Sequence, residues 1–170
     1  EKHKLIKTLE KKSSDSVDKY NEEIQEAKQE IEKQQAEVES LQSEIKTLMI
    51  SINDDKEVTD SLIQLESEEK SLKSKIKSID NSKKFYEEND SCPSCKQKIQ
   101  SHHKDSMYTE SDKEKKSVLL SIDNVRSSIS EVESRLSDIN IVLSDVKDKE
   151  KSISSRQSKI GASLQYIQKL

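Results

Sequence analysis

A repeating stripe of apolar residues runs through most of the chain and restricts what it can fold into. In the second half, apolar side chains recur at alternating steps of four and three residues, interrupted only by Glu150 and Gln157. The series comprises Val118, Ile122, Val125, Ile129, Val132, Leu136, Ile139, Leu143, Val146, Ile153, Ile160, Leu164 and Ile167. Because this spacing keeps one side of a helix facing a partner helix, it predicts a coiled coil.

The first half carries the same repeat, with Gln34 and Glu69 as polar exceptions. Its members are Val17, Tyr20, Ile24, Ala27, Ile31, Val38, Leu41, Ile45, Leu48 and Ile52, followed by Leu62, Leu65, Leu72, Ile76, Ile79 and Tyr86. The step from Ile52 to Leu62 fits neither a seven-residue nor an eleven-residue repeat. It predicts a stammer, which is a local overwinding of the supercoil.

Composition agrees with long solvated helices. Only 29% of the residues are apolar and 38% are charged, which excludes a large globular core. The net charge is −4 with both signs interleaved, so no nucleic-acid site is expected within this chain. It has no membrane-length apolar run or signal-peptide pattern, and it begins at Glu1 without methionine. We therefore expect a soluble, intracellular and cytoplasmic fragment of a longer protein.

The only proline lies at the middle of the chain, in the segment Cys92-Pro93-Ser94-Cys95. A proline inside a helix costs about 3 kcal/mol, so this segment is a place for the chain to reverse. Folding back there aligns the two stripes through the pairs Tyr20 with Ile167, Leu41 with Val146, Leu48 with Ile139, Leu65 with Ile122, and Ile79 with Tyr108. We therefore predict an all-α fold, a long antiparallel coiled-coil hairpin within one chain, in preference to a straight parallel dimer.

The predicted hairpin has three segments. Residues 1–90 form the ascending arm, 91–108 the apex and 109–170 the descending arm. Residues 1–16 have a weak heptad pattern, so they should fray or continue a coil whose other helix is absent from this chain. Ser111 and Glu114 fit a capping box, which would start a helix near Thr109 to Ser111. The alternative, which the sequence supports equally well, is that Ser111 is an ordinary surface serine within a helix that began earlier.

Both cysteines lie in the predicted turn, where the first and last side chains point the same way. Converging thiolates suit zinc, for which C-x-x-C is the usual half-site, so Cys92 and Cys95 are the candidate metal ligands. Two further ligands are needed. They would come from a second copy of the chain or from His102 and His103, although adjacent histidines on a helix point about 100° apart.

Other uses of the cysteines are less consistent with the sequence. A thioredoxin-like redox site requires a βαβ unit, and nothing here predicts a strand. A simple disulfide is a further alternative. Lys96 and Lys98 either offset the charge of a four-thiolate zinc site or belong to an ordinary charged surface. The apolar residues around the turn should brace it or, alternatively, bind a partner; they are Phe85, Tyr86, Ile99, Met107 and Tyr108.

The segment CPSCKQKI between two heptad runs resembles the zinc hook of the SMC-like DNA double-strand-break repair ATPases, the SbcC family and its phage recombination-endonuclease relatives. Cys92, Pro93 and Cys95 match the C-P-x-C motif, and Ile99 lies where that family commonly has an aliphatic residue. Lys96 departs from the glycine found in many members, so the backbone after the second cysteine is expected to differ.

This resemblance implies a homodimer in which two chains share one Zn²⁺ through four cysteines. The joined hooks would tether DNA repair or recombination complexes, and the parent protein would be an ATPase subunit that works with a nuclease subunit on DNA. The chain itself is not expected to be an enzyme, because it has no phosphate-binding G-x-x-x-x-G-K-[ST] loop. The alternative is a structural coiled-coil segment of a filament or tether with no metal role.

Overall fold

A computed structural model describes residues 2–169 and confirms the all-helical prediction. It contains three helices, α1 (Lys2–Ser51), α2 (Asp55–Glu88) and α3 (Ser101–Lys169). Within the described range the only β-type pairing is an isolated antiparallel bridge between Ser91 and Lys98. No helix in that range is both long enough and apolar enough to cross a membrane. Glu1 and Leu170, the outer ends of the predicted arms, lie outside the described residues.

The chain divides into two compact units. The first comprises Glu1–Asn53 and Asn140–Leu170, and the second comprises Asp54–Ile139. In the first unit α1 packs against the C-terminal part of α3 in antiparallel fashion. Three side-chain hydrogen bonds mark the pairing, namely Tyr166 with Glu23, Arg156 with Gln34 and Lys149 with Glu44. Partner numbers fall along α3 as they rise along α1, as the predicted hairpin requires.

In the second unit α2 packs antiparallel to the N-terminal part of α3. Its core is a cluster of Ile79, Val118 and Ile122, with Leu72 and Ile76 packed against it. Ion pairs flank this core on both helices, at Lys75–Glu114, Asp80–Lys115, Lys83–Asp112 and Glu69–Arg126. Because these charged side chains remain partly in water, each pair adds little stability and the apolar cluster supplies most of it.

The predicted apolar stripe coincides with the observed core. Every buried apolar residue belongs to it, and these are Ile31, Val38, Ile52, Ile79, Val118, Ile122, Val125, Ile139 and Val146. Gln34, a predicted polar exception in the stripe, is buried as well. Other stripe positions are substantially exposed, including Val17, Tyr20, Leu143 and Leu164. The heptad pattern therefore identified the buried face of the helices correctly, but fewer of its positions are buried than the pattern predicted.

The register predicted beside the apex is displaced. Ile79 was expected opposite Tyr108, and Ile122 opposite Leu65, whereas Ile79 and Ile122 belong to one cluster. The prediction centred the reversal between the two cysteines. The non-helical segment is longer on the C-terminal side of those cysteines, since α2 ends at Glu88 and α3 begins at Ser101. Each α2 residue therefore faces a residue of α3 that lies further from the N-terminus of α3 than predicted.

A helix break replaces the predicted stammer. Helix α1 ends at Ser51 and α2 begins at Asp55, so the chain is interrupted instead of overwound. Asn and Asp side chains compete with helical hydrogen bonds, and three of them occur in succession at positions 53–55. The carbonyl of Asp54 accepts the first bond of α2 from the Val58 N–H at 2.9 Å. Asp55 and Glu57 follow in the first turn, where acidic groups favour a helix N-terminus.

The structure bears on two predicted helix ends. Residues 1–16 were expected to fray or to continue a coil whose other helix is absent from this chain. Residues 2–16 lie in helix α1 with exposed side chains, which fits the second of these alternatives. The capping box at Ser111 is absent because α3 already begins at Ser101. Ser111 is not a surface residue either, since it is buried in the helix pair.

Candidate metal centre in the segment between α2 and α3

Backbone hydrogen bonds hold residues 89–100 in a compact reversal. Asn89 leaves the helix with an extended conformation (φ −124°, ψ 120°), and its side-chain amide donates to the Phe85 carbonyl at 2.8 Å. Next, the Ile99 N–H donates to the Asp90 carbonyl at 2.8 Å, and Ser91 and Lys98 form the antiparallel bridge. These bonds connect the segment before the cysteine turn to the segment after it.

The cysteine turn is closed by two further backbone bonds. The Lys96 N–H donates to the Cys92 carbonyl, and the Cys92 N–H donates to the Gln97 carbonyl, both at 2.8 Å. Lys96 has a φ of 59°, in the left-handed region that glycine favours. Lys96 thus adopts a conformation that glycine takes more readily, and the expected difference from the backbone of the zinc-hook family stays a prediction.

The two thiols differ in exposure, and the pKa of Cys92 is lowered. Both cysteines are free; Cys92 is half-buried and Cys95 is exposed. The backbone N–H groups of Cys95 and Ser94, followed by the Cys95 side chain, hydrogen-bond Cys92 and lower its pKa from the usual thiol value, while burial opposes them. Because metals bind the thiolate, this turn favours the protonation state that a metal requires. The Cys95 sulfur also lies 3.7 Å from the Gln97 side-chain oxygen, a second acceptor for its single hydrogen.

Both cysteines line one open cavity of about 490 Å³, together with residues from α2, the turn and α3. An aromatic series forms one wall. The Phe85 and Tyr86 rings meet edge to face with centroids 5.3 Å apart, and the Tyr86 and His103 rings do so at 5.7 Å. Ile99 completes the apolar part of the lining. The predicted bracing residues Phe85, Tyr86 and Ile99 therefore lie beside the cysteines.

The two histidines lie near the cysteines. His102 and His103 line the same cavity as the cysteines. Nevertheless, residues 2–169 contain no group of three or more His, Cys, Asp or Glu side chains arranged to hold a metal ion. The His103 ring is engaged with Tyr86. Two thiols in one turn would supply half of the four ligands that a tetrahedral zinc site takes.

The charged side chains near the turn differ in their positions and partners. Lys98 lines the cavity, and Lys96 is exposed. Lys104 donates to the Asp90 carboxylate at 2.8 Å and lowers its pKa, so these two charges offset each other. The predicted role of Lys96 and Lys98 in balancing thiolate charge stays a prediction. Sequence reasoning missed Gln97 and Gln100. Gln97 bonds both cysteines, and the Gln100 carbonyl accepts the first N–H bonds at the start of α3.

Comparison with protein-family models, curated proteins and solved structures found no match to this chain. The resemblance to zinc hooks therefore depends on the Cys-Pro-Ser-Cys segment and its flanking heptads. The described geometry adds two neighbouring thiols between antiparallel helices.

Proposed function

We propose that this chain is a zinc-mediated dimerisation hook, in which two copies share one Zn²⁺ through Cys92 and Cys95 of each. The observation that carries the proposal is the pair of free thiols in one turn between antiparallel helices, in a range (residues 2–169) that holds no group of three or more side chains arranged as metal ligands. Zinc in a structural site takes four ligands, so a second copy supplies the simplest complement. In the parent protein the hook would tether DNA repair or recombination complexes that contain an ATPase and a nuclease subunit.

Energetics favour the metal as the main source of affinity. Two reversals of this size offer only a small contact area, below that of stable protein interfaces. Structural zinc contributes roughly 10–16 kcal/mol in peptide sites, enough to hold two chains together. The lowered pKa of Cys92 reduces the cost of deprotonation when the metal binds.

The alternative, a filament segment without a metal role, predicts a straight parallel dimer. The side-chain pairs of α2 with α3 and of α1 with α3 are antiparallel and lie within one chain. A parallel dimer would have to break these pairs. These pairs therefore disfavour the filament segment. They do not separate a metal hook from a helical hairpin with another function, and that distinction depends on whether the cysteines bind zinc.

Zinc content measured together with solution mass tests the proposal. We expect one zinc ion per two chains in a dimer that dissociates when a chelator removes the metal. The double variant Cys92→Ser/Cys95→Ser should stay monomeric with zinc present, whereas Ser94→Ala, in the same turn, should dimerise like the wild type. One zinc ion in a monomer would instead support the histidine arrangement. A dimer that persists in the double variant would refute the metal hook.

A further inference from the structure

The cavity beside the cysteines has an apolar wall that the helix pair leaves open. Phe85 is 38% exposed although its ring packs on Tyr86, and Ile99 is half-buried. Both cysteines line this same cavity. Whatever approaches the sulfur atoms therefore also approaches the aromatic wall.

We infer that this wall is a protein docking surface whose occupant is the apex of a second copy, and this inference rests on the proposed function. Two sulfurs bound to one zinc ion, each near 2.3 Å from it, are themselves only about 3.8 Å apart. The thiols of the second copy must come this close to Cys92 and Cys95. Their own turn is then brought within van der Waals reach of the cavity that the two cysteines line.

The composition of the wall suits such a contact. Aromatic side chains are enriched among the residues that dominate interface energies, and Phe85 and Tyr86 lie where water would be excluded by the arriving chain. The polar side chains Gln97, Lys98 and Gln100 also line the cavity and form a rim that remains compatible with water. An apolar centre with a polar rim is the usual arrangement of a protein interface.

Symmetry gives the wall a second role. A two-fold interface uses the same patch on both copies, so Phe85 contributes once from each chain and one substitution removes two side chains. The metal supplies most of the affinity, and the wall selects one mutual orientation of the two apices among those that tetrahedral ligation permits. Sulfur ligation alone would tolerate rotation of one turn against the other.

Phe85→Ala tests the inference without changing a zinc ligand. We expect the zinc-loaded variant to dimerise roughly tenfold or more weakly by sedimentation equilibrium, while one zinc ion still binds per two chains at saturating protein. Phe85→Leu should lose less because it retains apolar volume. Ile63→Ala is the matched control, since Ile63 is 60% exposed on α2 and outside the cavity, and it should dimerise like the wild type.

Hydroxyl-radical footprinting supplies a readout that does not depend on a variant. Phe85 and Tyr86 should be protected from oxidation when zinc joins two wild-type chains and exposed again after chelation. A wild-type dimer in which both rings stay equally reactive, or in which Phe85→Ala dimerises with unchanged affinity, would overturn the docking surface alone. A wild-type chain that stays monomeric with zinc would overturn the proposed function itself.

Discussion

Lys96 occupies a backbone conformation that its side chain opposes, so replacing it by glycine should stabilise the cysteine turn. Its φ of 59° makes it the one non-glycine residue between 2 and 169 with a positive φ. An L-residue in the left-handed region costs roughly 1–2 kcal/mol, because its Cβ approaches the following carbonyl oxygen. Glycine avoids this cost but loses about 0.4–1 kcal/mol through the greater freedom of the unfolded chain.

The net gain for Lys96→Gly is therefore about 0.5–1 kcal/mol, confined to the turn. Amide hydrogen exchange measures it locally, since the N–H groups of Cys92 and Lys96 are the donors that close the turn. In the metal-free chain, exchange at Cys92 should slow roughly two- to fivefold, because local opening becomes that much rarer. Global unfolding is a poorer measure, because the chain contains two compact units.

Lys98→Gly is the matched control, because it removes the same charge two positions away where φ is not positive. Glycine brings no relief of strain there and costs about 0.5–1 kcal/mol of backbone entropy, so exchange at Cys92 should become faster. If Lys96→Gly also accelerates exchange, the left-handed conformation carries no strain and the reasoning is wrong.

Three further predictions concern acidity, an ion pair and helix propensity. In the metal-free chain, alkylation of Cys92 should show its inflection below the pH typical of a thiol, because N–H donors stabilise the thiolate; an inflection at or above that pH would contradict this. Hydrogen bonds from Arg135 lower the pKa of Asp54, so this pair stabilises the fold above the usual aspartate pKa and loses its effect as pH falls through the lowered value. Denaturant unfolding of Arg135→Gln should accordingly show a deficit against the wild type at neutral pH that disappears in acid, and a deficit independent of pH would count against the pair. Gly161→Ala should raise the free energy of unfolding by about 0.5–1 kcal/mol, since Gly161 lies within α3 and nothing is within 4 Å of the added Cβ. Ala162→Gly, the control, should lower the free energy of unfolding by a similar amount. A Gly161→Ala variant that is less stable than the wild type would contradict this prediction.

The fold was predictable to the extent that it depends on periodicity. Burial of Ile31, Val38 and Ile139 follows from the repeat, because a helix in water must cover its apolar stripe. The helix break near Asp54 was not predicted correctly. Spacing reveals a change of phase between Ile52 and Leu62, but a stammer and an interruption shift the phase alike. The Asn-Asp-Asp sequence at 53–55 was the signal for an interruption.

At the candidate site, the spacing of Cys92 and Cys95 around a proline predicted that the two cysteines lie close together, as they do. Their role as metal ligands stays a prediction. The contribution of Gln97 had no sequence signal, because its carbonyl reaches the Cys92 N–H only once the turn has closed. The displacement of Ile79 relative to α3 has a similar cause, since the register beside the apex depends on how the residues after Cys95 are folded.

The buried polar group in the first unit bears on how α1 and α3 find their alignment. Gln34 donates to Glu30 at 2.7 Å and accepts from Arg156 at 2.8 Å, and Arg156 also pairs with Glu37. A displacement of one heptad would bring Ala27 or Leu41 to the place of Gln34, and the guanidinium would face an aliphatic side chain. In a coiled coil with only leucine at its core positions, registers that differ by one heptad bury equivalent side chains. Here Gln34 and Arg156 make one register different from the others. The hydrogen bond between Gln34 and Arg156 therefore favours one register of α1 against the C-terminal part of α3.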